Sequence, residues 1–393
     1  MTAPTRSFTA ADVQEMVEVR RDLHMHPETA FEELRTAGVV AERLRALGLE
    51  PRTGVGRTGV VATLRGGRPG KTVLLRADMD ALLIQEENEV PYRSRHEGRM
   101  HACGHDCHVS ALLGVAKHLV RQAATLPGAV KFCFQPAEER GGGALAMIAD
   151  GVLRDPPVDA AFGVHVWQDL DVGKVGVTPG PWMASVDEFT VTVHGKGAHA
   201  AAPHQGIDPV VALAHVITAL QTIASRTTDP LLEVVVSVTQ VRAGTAFNII
   251  PETAVMNGTV RTFDTDLWKE LPGRFERIVQ GVAGALGCTA EVAYERYNMP
   301  SVNDRAMAEL AHAAAADIVG PQNVVTTIRT MGGEDFSAFL HEVPGAFLAI
   351  GSRNAEKGLV HMHHHPRFDV DEGAIGIAAE LLLAVTRRYL EAS

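Results

Sequence analysis

The stretch that decides the fold reads Thr72-Val73-Leu74-Leu75-Arg76-Ala77, a run rich in leucine and β-branched residues that stops at Asp78. Such a run predicts a strand that is buried on both faces, as in a parallel sheet. Two similar runs follow at 129–134 and 160–166, and segments with the apolar spacing of helices lie between the strands. Strands that alternate with helices predict an α/β fold, in which a mostly parallel sheet is flanked by helices.

A different pattern begins at the segment Pro179-Gly180-Pro181, whose composition is typical of a hinge between domains. The residues after it predict the order β-α-β-β-α-β, which is typical of a ferredoxin-like sheet of four antiparallel strands with both helices on one face. After about residue 296 the alternation of helix and strand returns. We therefore predict one domain formed by 1–181 and 297–393, with a second, α+β domain inserted at 182–296.

The composition excludes several classes of protein. The chain has 393 residues, of which 46% are hydrophobic and 21% are charged, as expected for a folded protein of two domains. The formal net charge is −11 and no basic run could neutralise several phosphates, so nucleic acid is not an expected partner. We find neither a signal sequence nor a run of about 18 uncharged apolar residues, and the four cysteines form no disulfide framework. A cytoplasmic protein that does not bind membranes is therefore expected.

Residues that can bind metal ions are concentrated at the ends of the predicted strands, where α/β sheets place their sites. The groups are His101 through His108, the doublet Glu138-Glu139, His165, and His361 through His365. Each has an ordinary structural explanation when taken alone: the start of a helix predicted over 108–124 and capped by Asp106 or a neighbour, a solvated turn, a core histidine, and a polar loop. Together they offer a thiolate, imidazoles and carboxylates at one edge of a sheet, which suits zinc, manganese or a similar divalent ion. Of two adjacent carboxylates, one can bind metal while the other takes a proton from water.

Several ordered motifs then point to a known family. They are RRDLHMHPE (20–28), RADMDAL (76–82), MHACGHDCH (100–108), QPAEE (135–139), GAH (197–199), NIIP (248–251), GGEDF (332–336) and HHP (364–366). On these motifs the chain resembles the M20 metallopeptidase and amidohydrolase family, in the branch of hippurate hydrolases, N-acyl-amino-acid amidohydrolases and auxin-conjugate hydrolases. The resemblance implies a zinc-peptidase-like catalytic domain, an inserted dimerisation or lid domain, and two divalent metal ions per subunit, which would be Zn, Mn, Co or Ni.

Carried over position by position, the resemblance implies that the metal ligands are Cys103, His105, Glu139, His165 and His364. The family pattern His-x-Pro selects His364 over its neighbouring histidines, because Pro366 fixes the register. One departure is Leu83, which stands where this branch usually has proline after Ala-Leu.

The resemblance also implies roles for residues that do not bind metal. Glu138 would be the general base and acid, and Asp80 would orient a neighbouring ligand. His199 would reach the active site of the other subunit and stabilise the developing oxyanion. The residues that would contact the substrate are Asn248, Arg261 and Gly333.

The expected activity is metal-dependent hydrolysis of the amide bond of N-acyl amino acids, with acyl groups of the acetyl or benzoyl type. The protein would work as a homodimer, or as a tetramer of paired dimers. The nearest alternative is a metallo-dipeptidase or carboxypeptidase with the same dinuclear site, which would need to pair the free α-amino group of its substrate. A non-catalytic binding relative is the remaining alternative, although such a protein has no need of Glu138.

Overall fold

The computed structural model of the chain describes residues 7–392. Its α-helices are α1 (Ala10–His24), α2 (Leu34–Ala46), α3 (His105–Val120), α4 (Gly143–Ala149), α5 (Pro209–Leu220), α6 (Thr265–Ala285), α7 (Arg305–Val319), α8 (Ser337–Glu342) and α9 (Gly373–Glu391). Its strands are β1 (Arg52–Val55), β2 (Gly59–Arg65), β3 (Arg68–Asp78), β4 (Pro127–Gln135), β5 (Ala160–Asp171), β6 (Val175–Gly176), β7 (Gly180–Met183), β8 (Val186–His194), β9 (Ala198–His199), β10 (Val234–Ala243), β11 (Ile249–Ile250), β12 (Thr253–Thr262), β13 (Thr289–Asn298), β14 (Ser301–Asn303), β15 (Val324–Val325) and β16 (Gly345–Arg353).

The chain forms two compact units. The first contains the described residues up to Gly180, then Val302–Arg329, and the described residues from Asp335 onward. The second contains Pro181–Ser301 together with Thr330–Glu334. The second unit is therefore built mainly from one continuous segment, and a short piece from later in the chain joins it.

The first unit contains an eight-stranded sheet in the order β1-β2-β4-β3-β5-β16-β6-β15. Its centre is parallel, because β3 runs parallel to both β4 and β5, and β5 runs parallel to β16. The predicted parallel strands 72–77, 129–134 and 160–166 lie within β3, β4 and β5, so the predicted mostly parallel α/β fold is confirmed. The antiparallel strands β1 and β2 at one edge were not part of the prediction.

The start of α3 differs from the prediction. The helix begins at His105 and ends at Val120, whereas a helix over 108–124 was expected. The predicted cap was wrong: Gly104 is the N-cap, with a φ of 86°, and Asp106 lies inside the first turn. A Cβ atom on Gly104 would lie 2.3 Å from Val166 Cγ2, so glycine permits the helix to begin directly against β5.

The second unit contains a four-stranded antiparallel sheet in the order β10-β12-β8-β13. Helix α5 follows β8 and helix α6 follows β12, so the predicted β-α-β-β-α-β order and ferredoxin-like topology are confirmed. The stretch Pro209–Thr227 is long and apolar enough to cross a membrane, with a mean hydropathy of 1.2. It is also amphipathic, since it contains Gln221 and Arg226 and packs one face into the core of this unit through Ala212, Leu213, Val216 and Leu220.

Candidate metal centre

The candidate metal ligands lie in the first unit, where the parallel strands end. Because β4, β3 and β5 are parallel neighbours, their carboxyl ends meet at one edge of the sheet. The loop that follows β4 carries Glu138 and Glu139, and β5 itself carries His165. The start of α3 contributes Cys103 and His105 to the same edge.

Distances between side-chain atoms show that the five predicted ligands come together. Cys103 Sγ lies 3.5 Å from His165 Nε2. His364 Nε2 lies 3.4 Å from Glu139 Oε2, and His105 Nε2 lies 3.9 Å from Glu139 Oε1. Segments that are far apart in sequence therefore place sulfur, nitrogen and oxygen donors around one small volume.

The donor atoms fit divalent cations. Cys103, Glu139 and His364 offer ligand atoms within 4.8 Å of one another, and so do His105, Glu138 and Glu139. Two of the buried atoms, His105 Nε2 and Glu139 Oε1, have no hydrogen-bond partner among the described residues. An unpaired buried polar atom is costly, and a cation bound at this position would satisfy both atoms. The mixed thiolate, imidazole and carboxylate set suits zinc or a related transition ion.

The local charges also favour a cation. Burial opposes the charging of His105, but Asp78 and Asp80 raise the pKa of its imidazole to about 10. Burial and the carboxylate of Glu139 raise the pKa of the Cys103 thiol well above its usual value. Metal ligands must be deprotonated, so a metal ion that binds here must displace protons from both side chains.

Asp80 connects the loop that carries the two glutamates to the predicted ligand on α3, His105. Its Oδ1 accepts a hydrogen bond from the N–H of Glu138, and its Oδ2 accepts one from the N–H of Glu139, both at 3.0 Å. Its backbone carbonyl accepts from His105 Nδ1 at 2.9 Å, which leaves Nε2 available for a metal. Leu83, at the position where proline is usual, is 65% exposed, so the replacement leaves these contacts of Asp80 intact.

The loop that carries the two glutamates adopts an unusual backbone conformation. Ala137 has a φ of 53°, and its N–H donates to Glu33 Oε1 at 2.9 Å. A Cβ atom on Gly143 would lie 1.7 Å from the carbonyl oxygen of Pro136, so only glycine allows α4 to begin this close to the loop. Glu33 was not among the predicted functional residues, and its contact with the loop shows that it helps to hold Glu138 in place.

The peptide group of Val166 orients three histidines. Its N–H donates to His108 Nε2 at 2.9 Å, and its carbonyl accepts from His165 Nδ1 at 2.6 Å and from His363 Nε2 at 2.9 Å. Because His108 accepts at Nε2, it carries its proton on Nδ1 and donates it to Asp78 Oδ1 at 2.5 Å. His165 Nε2, which faces Cys103 Sγ at 3.5 Å, is then the ring nitrogen that could bind metal. The sequence analysis named His108 only as part of the group His101 through His108 and gave neither it nor Asp78 a specific role, although the spacing of three between His105 and His108 places both on one helix face.

The structure also distinguishes the three consecutive histidines 363–365. His363 uses Nε2 to donate to Val166, and burial lowers the pKa of its imidazole to about 4. His365 Nδ1 accepts from the N–H of Arg367 at 3.0 Å. His364 has a φ of 66°, and its side chain approaches Glu139. The geometry therefore favours His364 among the three as the one that faces the other ligands.

The predicted His199 and Asn248 lie together in the second unit. His199 in β9 pairs with Ile249 in β11, and the N–H of Ala200 donates to the carbonyl of Asn248 at 3.0 Å. Both residues are exposed. His199 Nδ1 accepts from the N–H of Ala201 at 3.0 Å, so Nε2 carries the proton and is the donor.

The remaining substrate-contact candidates, Arg261 and Gly333, are also in the second unit. Arg261 in β12 is half-buried, where its Nε donates to Thr259 Oγ1 at 3.0 Å and its Nη1 donates to the carbonyl of Met331 at 3.3 Å. A Cβ atom on Gly333 would lie 2.0 Å from Val186 Cγ2, so this glycine has a packing role inside its own unit. The structure thus gives Gly333 a sufficient structural explanation and leaves Arg261 with a guanidinium that is only partly used.

In this α/β fold, a set of side chains that can bind a cation lies beside a further carboxylate, that of Glu138. This combination is typical of the metal-dependent hydrolases. Residues 74–387 match the model of peptidase family M20/M25/M40, and the chain belongs to this family. The family resemblance noted from the motifs is therefore confirmed, and the chain is a hydrolase that acts on amide C–N bonds.

The chain is similar to several relatives over nearly its whole length. The N-acetyl-L-cysteine deacetylase of Bacillus subtilis is 39% identical over 384 residues, which are 97% of this chain and 89% of that protein. Thermostable carboxypeptidase 2 of Saccharolobus solfataricus is 41% identical over 389 residues, covering 95% of this chain and 96% of that protein. The crystal structure of the Bacillus subtilis YXEP protein, described as a dinuclear metal-binding peptidase of the M20 family, is 36% identical with a TM-score of 0.86, and the match covers 98% of this chain and 100% of that one.

Proposed function

We propose that this protein hydrolyses the amide bond of N-acyl amino acids and releases an amino acid and a carboxylic acid. The observation that carries the proposal is the doublet Glu138-Glu139, which Asp80 holds by both backbone N–H groups. The doublet lies beside His105 Nε2, a buried atom that has no hydrogen-bond partner among the described residues. The relative named N-acetyl-L-cysteine deacetylase, which aligns over almost the entire chain, supports a substrate with an acylated amino group.

Two divalent ions, from among Zn, Mn, Co and Ni, are proposed to be held by Cys103, His105, Glu139, His165 and His364. When bound, such ions polarise the scissile carbonyl and lower the pKa of water. The description of the YXEP relative as dinuclear supports the number of ions. The orientation of His105 by Asp80 and of His165 by Val166 supports the assignment, since both contacts leave Nε2 directed to the ions.

We propose that different side chains carry out the proton transfers and the binding of the substrate. Glu138, whose carboxylate Oε2 lies 4.0 Å from His105 Nε2, takes a proton from the attacking water and returns it to the leaving amine. His199 donates from Nε2 to the developing oxyanion. The Arg261 guanidinium pairs with the carboxylate of the amino-acid product, and the amide of Asn248 binds a polar group of the substrate.

We further propose that the second unit forms a homodimer and that His199 acts in the partner's active site, with a tetramer of such dimers as the alternative. The exposure of His199 and Asn248 supports this arrangement, because neither has a buried position in its own unit. Phe247, which is 99% exposed, and Ile249, which is 57% exposed, add apolar surface beside them that a second copy would cover. The proposed location is the cytoplasm, which the four free cysteines support.

A carboxypeptidase or dipeptidase with the same centre is the second candidate, because one relative is named a thermostable carboxypeptidase. A panel experiment separates the two. The protein is stripped of metal, reloaded with Zn, Mn, Co or Ni, and assayed against hippurate, N-acetyl amino acids and unblocked dipeptides, with Glu138→Gln protein as the matched control. We expect turnover of the acylated substrates. Faster turnover of the unblocked dipeptides would favour the peptidase, and binding of N-acyl amino acids without turnover by any metal form would favour a binding protein.

A further inference from the structure

A buried arginine in α1 has no part in the chemistry described above, although it lies close to two of the segments that carry ligands. Arg20 is fully buried. Its Nε donates to Asp106 Oδ2 at 2.8 Å, and its Nη2 donates to Asp369 Oδ1 at 2.8 Å. A third carboxylate, that of Glu372, lies 3.4 Å from Nη1. One guanidinium therefore joins two acidic residues that are distant in sequence.

The first of these contacts fixes the start of α3. Asp106 directly follows the proposed ligand His105. Its Oδ2 accepts from His24 Nδ1 at 2.7 Å as well as from Arg20, and its Oδ1 accepts from the N–H of Cys107 at 3.0 Å. The carboxylate is thus held from several directions, so the first turn of the helix has a defined position against α1.

The second contact fixes the turn that carries His364. Asp369 Oδ2 accepts from the hydroxyl of Tyr92 at 2.7 Å, so its carboxylate is held on both oxygens. The intervening turn is also anchored, because the N–H of Phe368 donates to the carbonyl of His365 at 2.8 Å and the Phe368 ring is fully buried. The position of Asp369 therefore constrains the position of His364 a few residues earlier.

We infer that Arg20 is a positioning residue, which sets the separation between the His105 and His364 segments that two metal ions require. The guanidinium suits this role because it is a planar, rigid fork that can bind two carboxylates at fixed angles, whereas an ammonium group is a point charge. Buried ion pairs contribute little stability compared with apolar residues of the same size, so a purely structural role would not require an arginine at this position. The inference rests on the proposed ligand roles of His105 and His364, and it does not depend on the substrate.

The test measures metal binding in folded protein. Apo protein is titrated with Zn²⁺ by calorimetry and with Co²⁺ by absorption, at a temperature where circular dichroism shows that every variant is folded. Arg20→Met should weaken the binding of both ions by about 10- to 100-fold, as is usual when a residue that orients ligands is removed. Arg20→Lys keeps the charge without the fork, so it should not restore wild-type affinity, and the Co²⁺ spectrum should change in both variants.

Lys131 provides a matched control, because it is another buried cation of the first unit. Its side chain is 2% exposed, and its Nζ donates to the carbonyls of Val152, Arg154 and Pro156 at 2.8, 2.5 and 2.9 Å. Lys131→Met should lower the unfolding temperature and leave the affinity for Zn²⁺ and Co²⁺ unchanged. A loss of affinity in both variants would mean that any buried cation affects the centre through stability alone, and it would overturn the inference.

Asp369→Asn tests the contact between Arg20 and Asp369 by itself. This variant also tests the inference if Arg20→Met does not fold. This variant keeps the contact between Arg20 and Asp106, so it should weaken only one of the two binding steps. Metal affinities within twofold of wild type in folded Asp369→Asn or Arg20→Met protein would overturn the inference. The ligand roles are tested separately, because His364→Ala or His105→Ala protein that still binds both ions would contradict the proposed centre itself.

Discussion

The two units of the molecule differ in how their candidate functional side chains are held in place. In the first unit, the proposed ligands and Glu138 are held by partners from the same unit, as Asp80 holds the glutamate loop and Val166 holds His165. In the second unit, His199 is exposed on a short two-stranded ladder, and the exposed Asn248 directly precedes the second strand of that ladder. A centre that is positioned within one unit can be understood from one chain, whereas exposed donors need a substrate or a second chain to complete their function.

The largest effect is expected at the doublet of the first unit. Glu138→Gln should keep the metal and the fold but lower kcat by about 10²-fold or more, because glutamine cannot transfer the proton. Glu139→Gln should instead lose metal, because it removes the charge of a ligand. The measurements are steady-state turnover and metal content by elemental analysis. If the two phenotypes were exchanged, the roles of the adjacent glutamates would be reversed.

The next effect is expected at the exposed histidine of the second unit. His199→Ala should lower kcat by about 10²-fold with unchanged metal content, which is the usual loss when one donor to an oxyanion is removed. The comparison between the units is tested by mixing this variant with Glu138→Gln protein. If His199 works in the partner's site, a mixed dimer has one intact site, and activity returns to about half of the wild-type value per heterodimer.

Subunit exchange must be demonstrated in the same mixture, for example with two affinity tags. If heterodimers form and the activity stays at the level of the parental variants, His199 serves its own subunit or has no catalytic role. If His199 serves its own subunit, the second unit resembles the first, because its function is completed inside one chain.

A smaller effect is expected at Asp80. Asp80→Asn replaces one acceptor oxygen with an amide that would face a backbone N–H of the glutamate loop. We expect about a 10- to 100-fold loss in metal affinity or activity, the usual cost of removing a residue that orients ligands. Asp150→Asn is a matched control, because Asp150 Oδ2 accepts from the N–H of Gly56 at 2.7 Å elsewhere in the first unit. Equal losses in both variants would show that the effect is one of loop stability alone.

The sequence predicted most of the fold, and it indicated which groups of residues are candidates for binding metal, because both depend on local patterns. Buried parallel strands are continuous apolar runs, and the residues that follow them must meet at one edge of the sheet. The strands β6 and β15 contain two residues each, which is too short for any periodicity to be visible. The predicted start of α3 was wrong because the N-cap, Gly104, has no side chain that marks it in the sequence. Aspartate is a favoured N-cap residue, so Asp106 was chosen instead.

The contacts that orient the proposed ligands could not be predicted, because they join residues that are distant in sequence. Glu33 binds the N–H of Ala137, and the peptide of Val166 binds His108. A single sequence records which residues are present and not which pairs meet. Arg20 illustrates this difference, since the motif that contains it supported the family resemblance while its bonds to Asp106 and Asp369 became visible only in the structure.

The smallest expected effect is a change in how the free energy of unfolding varies with pH. Two buried cations of the first unit, His24 and Lys131, are compared. Burial and Arg20 oppose the charging of His24, but Asp106 raises the pKa of its imidazole to about 9. The charged and titratable groups around this imidazole include Arg20, Glu86, Tyr92, His101, Asp106 and Asp369. In contrast, burial lowers the pKa of Lys131 to about 8, because its partners are neutral carbonyls.

These shifts predict opposite slopes. The pKa of His24 is raised above its unfolded value of about 6.5, so its contribution, at most about 3 kcal/mol, is full below pH ~6.5 and is lost as the pH rises through ~9. The pKa of Lys131 is lowered below its unfolded value of about 10.4, so its contribution becomes more favourable between pH ~8 and ~10.4. Both contributions are measured by urea unfolding of wild-type, His24→Gln and Lys131→Met protein between pH ~6 and ~10.5. The difference in unfolding free energy between wild type and His24→Gln should fall with pH, and the difference between wild type and Lys131→Met should rise. Parallel profiles for the three proteins would show that neither cation is perturbed by its surroundings.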